Sequence, residues 1–432
     1  MEAGKSAYPD SWYAATLGEV AERPALRSSV QCDTAVVGAG LAGLTTALEC
    51  CRRGQSVVLL ESRRVAWGAS GRNGGMVLPG FAVELPELVE VLGMAAAQRL
   101  YEHSIAGVDY VRSQAQQLAP EVLMGQGGLS VSRHPDAASC RSEQALLETM
   151  QFAVPEHWGR RELQNLLQTD RYHDALYDAT SFHLHPLRYA HALATEFERL
   201  GGRLYEQTPI LDFTEAQNTL ELRSHGGLVS CDDIVLCTSA YDHTLYRPLS
   251  RAILPVATYV AVTEPLDNER QPVKTQASII DTRRAGDYYR RIDDGRLLWG
   301  GKITTRQRVP EKLQQVMQET IAATYPQLHR VGIDSAWAGL MGYARHKMPI
   351  IGEVAPRIWS ATAFGGHGLN TTAMAGLLVA RGICDRDETW RDFSVFKPQW
   401  AGGLVGRLAV QGTYYRMQWQ DYLAERRAIN PR

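Results

Sequence analysis

The spacing of apolar residues changes period twice within thirty residues of "CDTAVVGAGLAGLTTALECCRRGQSVVLLE", residues 32–61. Thr34 to Val37 is a short apolar run of strand length. Leu41, Leu44, Leu48 and Cys51 then recur at helical spacing, and Gly54 stands where a helix-ending glycine stands. Val57 to Leu60 is a second run, closed by Glu61. The pattern predicts strand, glycine turn, helix and strand, with both strands buried.

Other stretches read the same way. "FHLHPLRYAHALATEFERLGGRLYEQTPI" places Leu187, Ala190, Leu193 and Phe197 on one helical face and then enters a strand. "DDIVLCTSAY" is a strand running into a turn. Residues near 95–165 are helix-rich, whereas 250–310 read as antiparallel strands. Within the latter, "LPVATYVAVTEPL" alternates enough for a half-buried strand, and "YYRRIDDGRLLWGG" is a hairpin turning at Asp293-Asp294-Gly295. Further on, Trp359 to Ala363 is a strand, Gly365-Gly366-His367-Gly368 a turn, and a helix runs from about Leu369 to about Ile383, with Thr371 and Thr372 in its first turn. In the tail, Leu408, Gly412, Tyr415, Trp419 and Tyr422 recur at helical spacing, with Arg426 and Arg427 at the end. This helix is expected to pack on its own body. There is no internal repeat and no low-complexity tract.

Bulk properties narrow the function. A chain of 432 residues exceeds one ordinary core, so two or more domains are expected. A net charge of -2 with scattered basic residues argues against a nucleic-acid partner. The seven cysteines are odd in number, none is spaced C-x-x-C, and no signal-peptide pattern is evident, so a reduced cytoplasmic setting is expected. The longest apolar region is too interrupted by Gly and Thr to span a membrane. His183 and His185 could share a strand face, but no third ligand accompanies them, so no metal is expected.

The first unit carries chemistry. Gly38, Gly40 and Gly43 form G-x-G-x-x-G between a strand and a helix. That arrangement permits a tight turn, lets a pyrophosphate approach the backbone and lets the helix lie close to the strand. The helix N-terminus favours the phosphate charge, and Glu61 stands where a carboxylate accepts from a ribose 2'-OH. NAD and FAD both remain open at this point. The loop "AWGASGRNGGM", residues 66–76, follows Glu61 where a plain NAD-binding domain continues into another helix. It is either a mobile surface loop or one that lies along the pyrophosphate and reaches a flavin. The strand, glycine turn and helix at 359–383 favour the second reading, because two remote glycine corners suit one long cofactor gripped at both ends.

With these motifs the chain resembles the FAD-dependent amino-acid and amine oxidase family that includes D-amino-acid, glycine and sarcosine oxidases, and within it the bacterial γ-glutamylputrescine oxidases. The resemblance rests on "SWYAATL", "VVGAGLAGL", "VVLLESRRVAWGASGRNGG", "GGRLYEQTPI", "VLCTSAY", "DYYRRIDDGRLLWGG" and "GGHGLNTTAMAG", in the family's order along nearly the whole chain. It implies an α/β chain with a discontinuous FAD-binding Rossmann-type domain of the glutathione-reductase kind and an α+β substrate domain with an antiparallel sheet. The expected division is 30–90, 170–245 and 335–390 for FAD, 91–169 and 246–334 for substrate, and a helical tail at 391–432.

Carried over by position, Gly38, Gly40, Leu41, Ala42, Gly43, Glu61, Ser62 and Arg63 would hold the adenosine diphosphate part, with Ile210 meeting the adenine. Gly68, Ala69, Ser70, Gly71, Arg72, Asn73, Gly74, Gly75 and Met76 would pass the pyrophosphate and flavin. Gly366, His367, Gly368, Leu369, Asn370 and Thr371 would meet the flavin's pyrimidine end, and Thr238 and Gly339 complete the expected cofactor set. Some relatives attach flavin through a cysteine before the last turn; "WAGLMGYARHKMPIIG" has none, so non-covalent FAD is expected. A lysine two residues after the G-H-G turn binds a substrate carboxylate in some members; Asn370 stands there and favours an amine.

Met76, Tyr259, Tyr288, Trp299, Tyr343, Arg345 and Asn370 are the substrate-pocket candidates, and His367 is expected to position rather than to act as a base. The implied reaction oxidises a C–N bond of an amine or amino acid, a γ-glutamylated polyamine being favoured, with oxygen as acceptor and hydrogen peroxide as product. The alternatives are a dehydrogenase using another acceptor, a non-catalytic flavoprotein subunit, and an NAD-dependent dehydrogenase, which the second glycine turn disfavours.

Overall fold

In a computed structural model, residues 7–216, 218–241, 244–283 and 286–429 are described, except for the side chains of 426–429. The expected strands Thr34–Val37 and Val57–Leu60 form, joined by the helix Leu41–Arg52. They are the centre of a six-stranded sheet in the order Ile350–Ala355, Ile358–Thr362, Asp233–Leu236, Thr34–Val37, Val57–Leu60, Arg203–Tyr205. All neighbours are parallel except the first pair.

Alternation within these strands feeds two cores. Val36, Val57 and Leu59 face the helices Leu41–Arg52, Pro186–Arg199 and Gly368–Cys384, where Leu187, Ala190, Leu193 and Phe197 are all buried as the spacing predicts. Ala35, Val37, Val58 and Leu60 face Leu220, Leu222, Val229 and Cys231. Those residues belong to a four-stranded sheet in the order Val30–Gln31, Leu228–Cys231, Thr219–Ser224, Ile210–Ala216. Covering on both faces leaves Thr34–Val37 and Val57–Leu60 buried at every position.

A larger sheet of nine strands runs Ile333–Tyr343, Leu254–Thr263, Leu297–Thr304, Tyr288–Arg291, Ser278–Asp281, Leu123–Ser132, Asp174–Leu184, Met76–Val77, with Glu156–Gly159 alongside Asp174–Leu184. The hairpin through Asp293–Gly295 forms as read. Leu254–Thr263 is buried at every residue rather than half-buried, because strands pair on both its edges and both its faces are covered. On one face Tyr259, Ala261, Tyr289, Leu297 and Trp299 pack against Leu313, Met317 and Ile321 of the helix Leu313–Thr324. On the other face Val260, Val262, Leu298 and Trp337 join the core of the first sheet. Residues 174–184 and 335–343, expected with the cofactor part, are strands of this second sheet.

The tail forms the helix Gly403–Ile429. Leu408, Tyr415, Trp419 and Tyr422 are 74%, 53%, 63% and 52% exposed, so the stripe expected to meet the body faces away from it. The helix docks by a different side, through Arg407, Gln411 and Glu425. The side chains of Arg426 and Arg427 lie outside the described residues. Among the described residues no helix is long and apolar enough to cross a membrane.

Candidate active site

The first glycine corner is built by sterics. Gly38 has φ +104°, and a Cβ on Gly43 would lie 1.9 Å from the Gly38 carbonyl oxygen, so the helix can start hard against the strand end only with glycine there. Glu61 steadies the turn: Oε2 accepts from Ala39 N at 2.9 Å and Oε1 from Arg63 N at 2.8 Å. Ser62 Oγ also donates to Oε1, at 3.3 Å. Burial raises the Glu61 pKa against the pull of these hydrogen bonds. Leu41 and Ala42 lie buried in the first turn of the helix. Thr208 N donates to Glu61 O at 2.8 Å, bringing the half-buried Ile210 near that corner.

The glycine-rich loop crosses the N-terminus of this helix. Ser70 Oγ accepts from Leu41 N at 3.0 Å and faces Gly40. Trp67 is held between the guanidinium groups of Arg63 and Arg72, at 4.1 and 4.0 Å. Asn73 closes the loop on itself, donating to Ser70 O at 2.9 Å and accepting from Gly75 N at 2.8 Å. Several of the loop's glycines are explained by protein contacts. A side chain on Gly68 would meet the Tyr241 ring and one on Gly71 the Ala66 carbonyl. One on Gly74 would meet the Tyr288 ring, and one on Gly75 the Leu184 carbonyl and Arg290.

Arg72 tests whether a cofactor phosphate suits this loop. Its Nε donates to Trp67 O at 2.8 Å and its Nη1 to Ala338 O at 3.3 Å, while the buried Nη2 has no partner. Burial and the neighbouring Arg63 lower its pKa, and among the described residues no carboxylate pairs with it. A buried guanidinium nitrogen without a partner, on the loop whose Ser70 meets a helix N-terminus, fits an anionic group supplied by a ligand. Gly339, whose nearest neighbour is Arg72, leaves open space on that side.

The second corner lies on the same edge of the same sheet. Ile358–Thr362 and Thr34–Val37 flank Asp233–Leu236, all three parallel, so both glycine turns emerge at the strands' C-terminal ends with Thr238 between them. The crevice outside those ends is where such sheets bind ligands. His367 caps the helix Gly368–Cys384. Its Nε2 lies 2.9 Å from Pro79 O and 3.3 Å from Leu78 O, which requires a proton on Nε2. Burial lowers its pKa, so the ring is neutral. Thr371 Oγ1 donates to the His367 carbonyl, and Leu369 packs into the core. Gly366 and Gly368 border the crevice; a Cβ on Gly366 would lie 3.0 Å from the Tyr343 hydroxyl, and one on Gly368 would meet nothing.

The large sheet sorts the pocket candidates by side. Tyr288 faces the loop at Gly74, and its pKa is pushed up to about 12, chiefly by burial. Thr258 hydrogen-bonds it, and Tyr13 and Tyr343 lie close enough to act on it. Met76 is half-buried beside Gly74. Tyr343, at the end of its strand, bridges to Phe364. Burial raises its pKa. Tyr414 of the tail helix lies near enough to interact with it. Tyr288, Tyr343 and Met76 therefore gather at the crevice. Tyr259 and Trp299 do not: strand alternation puts them on the far face, where Trp299 stacks on Tyr289 at 4.0 Å. Asn370 is 1% exposed and donates to Gly80 O at 3.1 Å, tying the helix to the backbone rather than facing a ligand. Arg345 is exposed, two residues beyond Tyr343.

One buried polar cluster beside the glycine-rich loop was not assigned from sequence. Arg290 is fully buried and donates to Gly74 O at 2.7 Å, to Leu184 O at 3.0 Å and to Tyr13 Oη at 3.1 Å. His183 Nδ1 accepts from it at 2.7 Å, while His183 Nε2 faces Gln276 O at 2.8 Å. Burial and the neighbouring cation pull the His183 pKa down to about 3. The motifs "SWYAATL", "FHLH" and "YYRRIDDG" contain these residues. Nothing local shows that they meet, because 277 positions separate Tyr13 from Arg290.

Comparison with known proteins agrees with this architecture. Residues 33–381 match the family model described as FAD dependent oxidoreductase. The chain is 30% identical over 422 residues to the probable oxidoreductase OrdL of Haemophilus influenzae, covering 94% of this chain and 96% of that protein. It is 29% identical over 433 residues to the gamma-glutamylputrescine oxidoreductase of Escherichia coli, covering 95% and 98%. In fold it resembles the crystal structure of glycine oxidase from Geobacillus kaustophilus, with a TM-score of 0.72 at 19% identity over 85% and 98% of the two chains.

Proposed function

The chain belongs to the family of FAD-dependent oxidoreductases that act on C–N bonds of amines or amino acids, and we propose that it is an amine oxidase whose substrate is a γ-glutamylated polyamine. The observation that carries this reading is the chemistry of the crevice. The candidates gathered there, Tyr288, Tyr343 and Met76 with Thr258, are neutral, and Asn370 is engaged with backbone. Among these residues no cation is offered to an α-carboxylate beside the reacting carbon, which suits an amine better than an α-amino acid. The likeness to a gamma-glutamylputrescine oxidoreductase over nearly the full chain supports the same substrate class.

Bound FAD supplies the two-electron acceptor for the amine's α C–H bond. Arg72 and the N-terminus of Leu41–Arg52 would hold its diphosphate, and Glu61 its ribose; the N-terminus of Gly368–Cys384 would face its pyrimidine end. Tyr288 and Tyr343 stay protonated at neutral pH and orient the amine nitrogen by hydrogen bonds without removing its proton. The amine therefore enters as the free base. His367, with its Nε2 proton committed to Pro79 and Leu78, holds the turn in place. The substrate leaves as an imine, which water hydrolyses to an aldehyde and an amine or ammonia. We take oxygen as the final acceptor, FAD as non-covalently held and the cytoplasm as the setting. The absence of cysteine from 337–352 and the seven free thiols support the last two.

The test is anaerobic mixing of holoenzyme with γ-glutamylputrescine, putrescine, glycine and D-alanine. Flavin bleaching fastest with the first, and peroxide release on admitting air, is expected. Faster bleaching by an α-amino acid overturns the substrate reading, and bleaching without peroxide overturns the oxidase reading.

A further inference from the structure

The C-terminal helix turns an apolar side to solvent. Leu404, Val405 and Leu408 are 76%, 75% and 74% exposed, Tyr415 is 53% and Trp419 63%. With 3.6 residues per turn these five fall in one stripe roughly 100° wide. Trp400, just ahead of the helix, is 66% exposed. The opposite side is fixed to the body largely by polar contacts. Gln411 Oε1 accepts from Thr304 Oγ1 at 2.8 Å and from Thr305 N at 2.9 Å, and Arg407 Nη2 donates to Thr305 O at 2.9 Å. Glu425 lies 3.5 Å from Arg283 and 3.7 Å from Arg133. A helix held this way with large apolar side chains left uncovered is the signature of an interface awaiting its partner.

We propose that a second copy of this chain docks on the stripe, the two C-terminal helices pairing antiparallel about a two-fold axis. Three observations select this occupant. The six side chains leave on the order of 900 Å² uncovered, comparable to the roughly 800 Å² that each partner contributes to a standard stable interface. Leu404, Leu408, Tyr415 and Trp419 follow one another at four, seven and four residues, the spacing of a helix–helix seam. Gly412 lies midway along it, and a Cβ built there meets nothing within 4 Å, so two helices could cross closely at that point. The helix carries Arg407, Arg416, Arg426 and Arg427 against Asp421 and Glu425, so binding to an anionic membrane is the alternative that the vesicle test below addresses. An apolar stripe is its own complement, which is the condition for a two-fold contact.

Sedimentation velocity on the full-length holoenzyme across micromolar concentrations tests this. A particle of two chains is expected, and a single-chain particle throughout overturns the proposal. Leu408→Glu combined with Trp419→Glu should give single chains that keep the far-ultraviolet circular dichroism and the flavin absorbance of the parent. A folded double variant that stays paired overturns this choice of surface. Should that variant misfold, Gly412→Cys decides: oxidation should cross-link it as a dimer well above parent protein and Ser142→Cys, and equal cross-linking in all three overturns the proposal. Flotation of a single-chain protein with phosphatidylglycerol vesicles would assign the stripe to a membrane instead.

Discussion

Arg290 and Gly74, 216 positions apart, are joined by a 2.7 Å hydrogen bond from a fully buried guanidinium to a loop carbonyl. The contact ties the glycine-rich loop to the hairpin of the large sheet. Arg290→Leu would leave the Gly74 and Leu184 carbonyls and the His183 ring without their donor. A loss of about 3 kcal/mol in unfolding free energy is expected, from desolvated groups left unpaired. FAD retention should fall with it, as urea denaturation and flavin absorbance after gel filtration would show. Unchanged values on both measures would remove Arg290 from the loop's support.

Gly339→Ala separates cofactor contact from folding. The nearest atom to the added Cβ is Arg72 Cβ at 3.7 Å, an ordinary contact. The apoprotein should therefore unfold within about 0.5 kcal/mol of the parent. If FAD lies along this face, its dissociation constant, measured by fluorescence titration, should rise tenfold or more. Gly43→Ala should instead damage both, because its Cβ would lie 1.9 Å from a backbone oxygen.

Loss of the Arg72 cation should weaken FAD binding without unfolding the chain. Arg72→Met removes the unpartnered Nη2 and the guanidinium that stacks on Trp67, with its bonds to Trp67 O and Ala338 O, but keeps an unbranched side chain of similar reach. About 2 kcal/mol of binding, or some thirtyfold in dissociation constant, is expected for a charge-assisted contact. An unchanged FAD titration would place the diphosphate elsewhere.

His367→Gln should leave the anaerobic flavin reduction rate within about threefold of the parent, a shift of under 1 kcal/mol in barrier. The ring's Nε2 proton already points at Pro79 and Leu78, and glutamine can donate to the same carbonyls. A fall of a hundredfold or more in stopped-flow reduction, with FAD still bound, would make His367 a participant in proton transfer.

Acid should destabilise the fold before its carboxylates titrate. His183, His185 and His191 are buried, and burial with nearby arginines pulls each pKa down to about 3. Their folded values lie below the unfolded value near 6.5, so the unfolded chain binds more protons between the two. Stability is full above about pH 6.5 and declines as pH falls toward 3, by up to about 1.4 kcal/mol per pH unit for each ring. Thermal unfolding at pH 7.5 and pH 5 should differ by about 5 °C. Equal midpoints would show that these rings are not held neutral.

By itself the sequence determined the two strand–turn–helix units, because each is built from neighbours. Gly38, Gly43 and Gly54 mark the turn, the close approach and the helix end within seventeen residues, and the apolar periods on either side declare strand and helix. The hairpin at Asp293–Gly295 and the buried face of Pro186–Arg199 were legible for the same reason. Only the tertiary structure decided which edge of the sheet the two glycine corners share and which face of the large sheet meets them. Tyr259 and Tyr288 look equally eligible along the chain, yet a buried sheet lined by apolar residues on both sides gives no local sign of which side holds the ligand. Arg290 was settled by backbone partners 216 and 106 residues away, in Gly74 and Leu184, and Asn370 by partners at least 266 residues away, in Gly80 and Ser104. The tail shows the same limit. Its apolar stripe was evident from spacing, but whether a stripe turns inward or outward depends on what surface the rest of the molecule leaves for it.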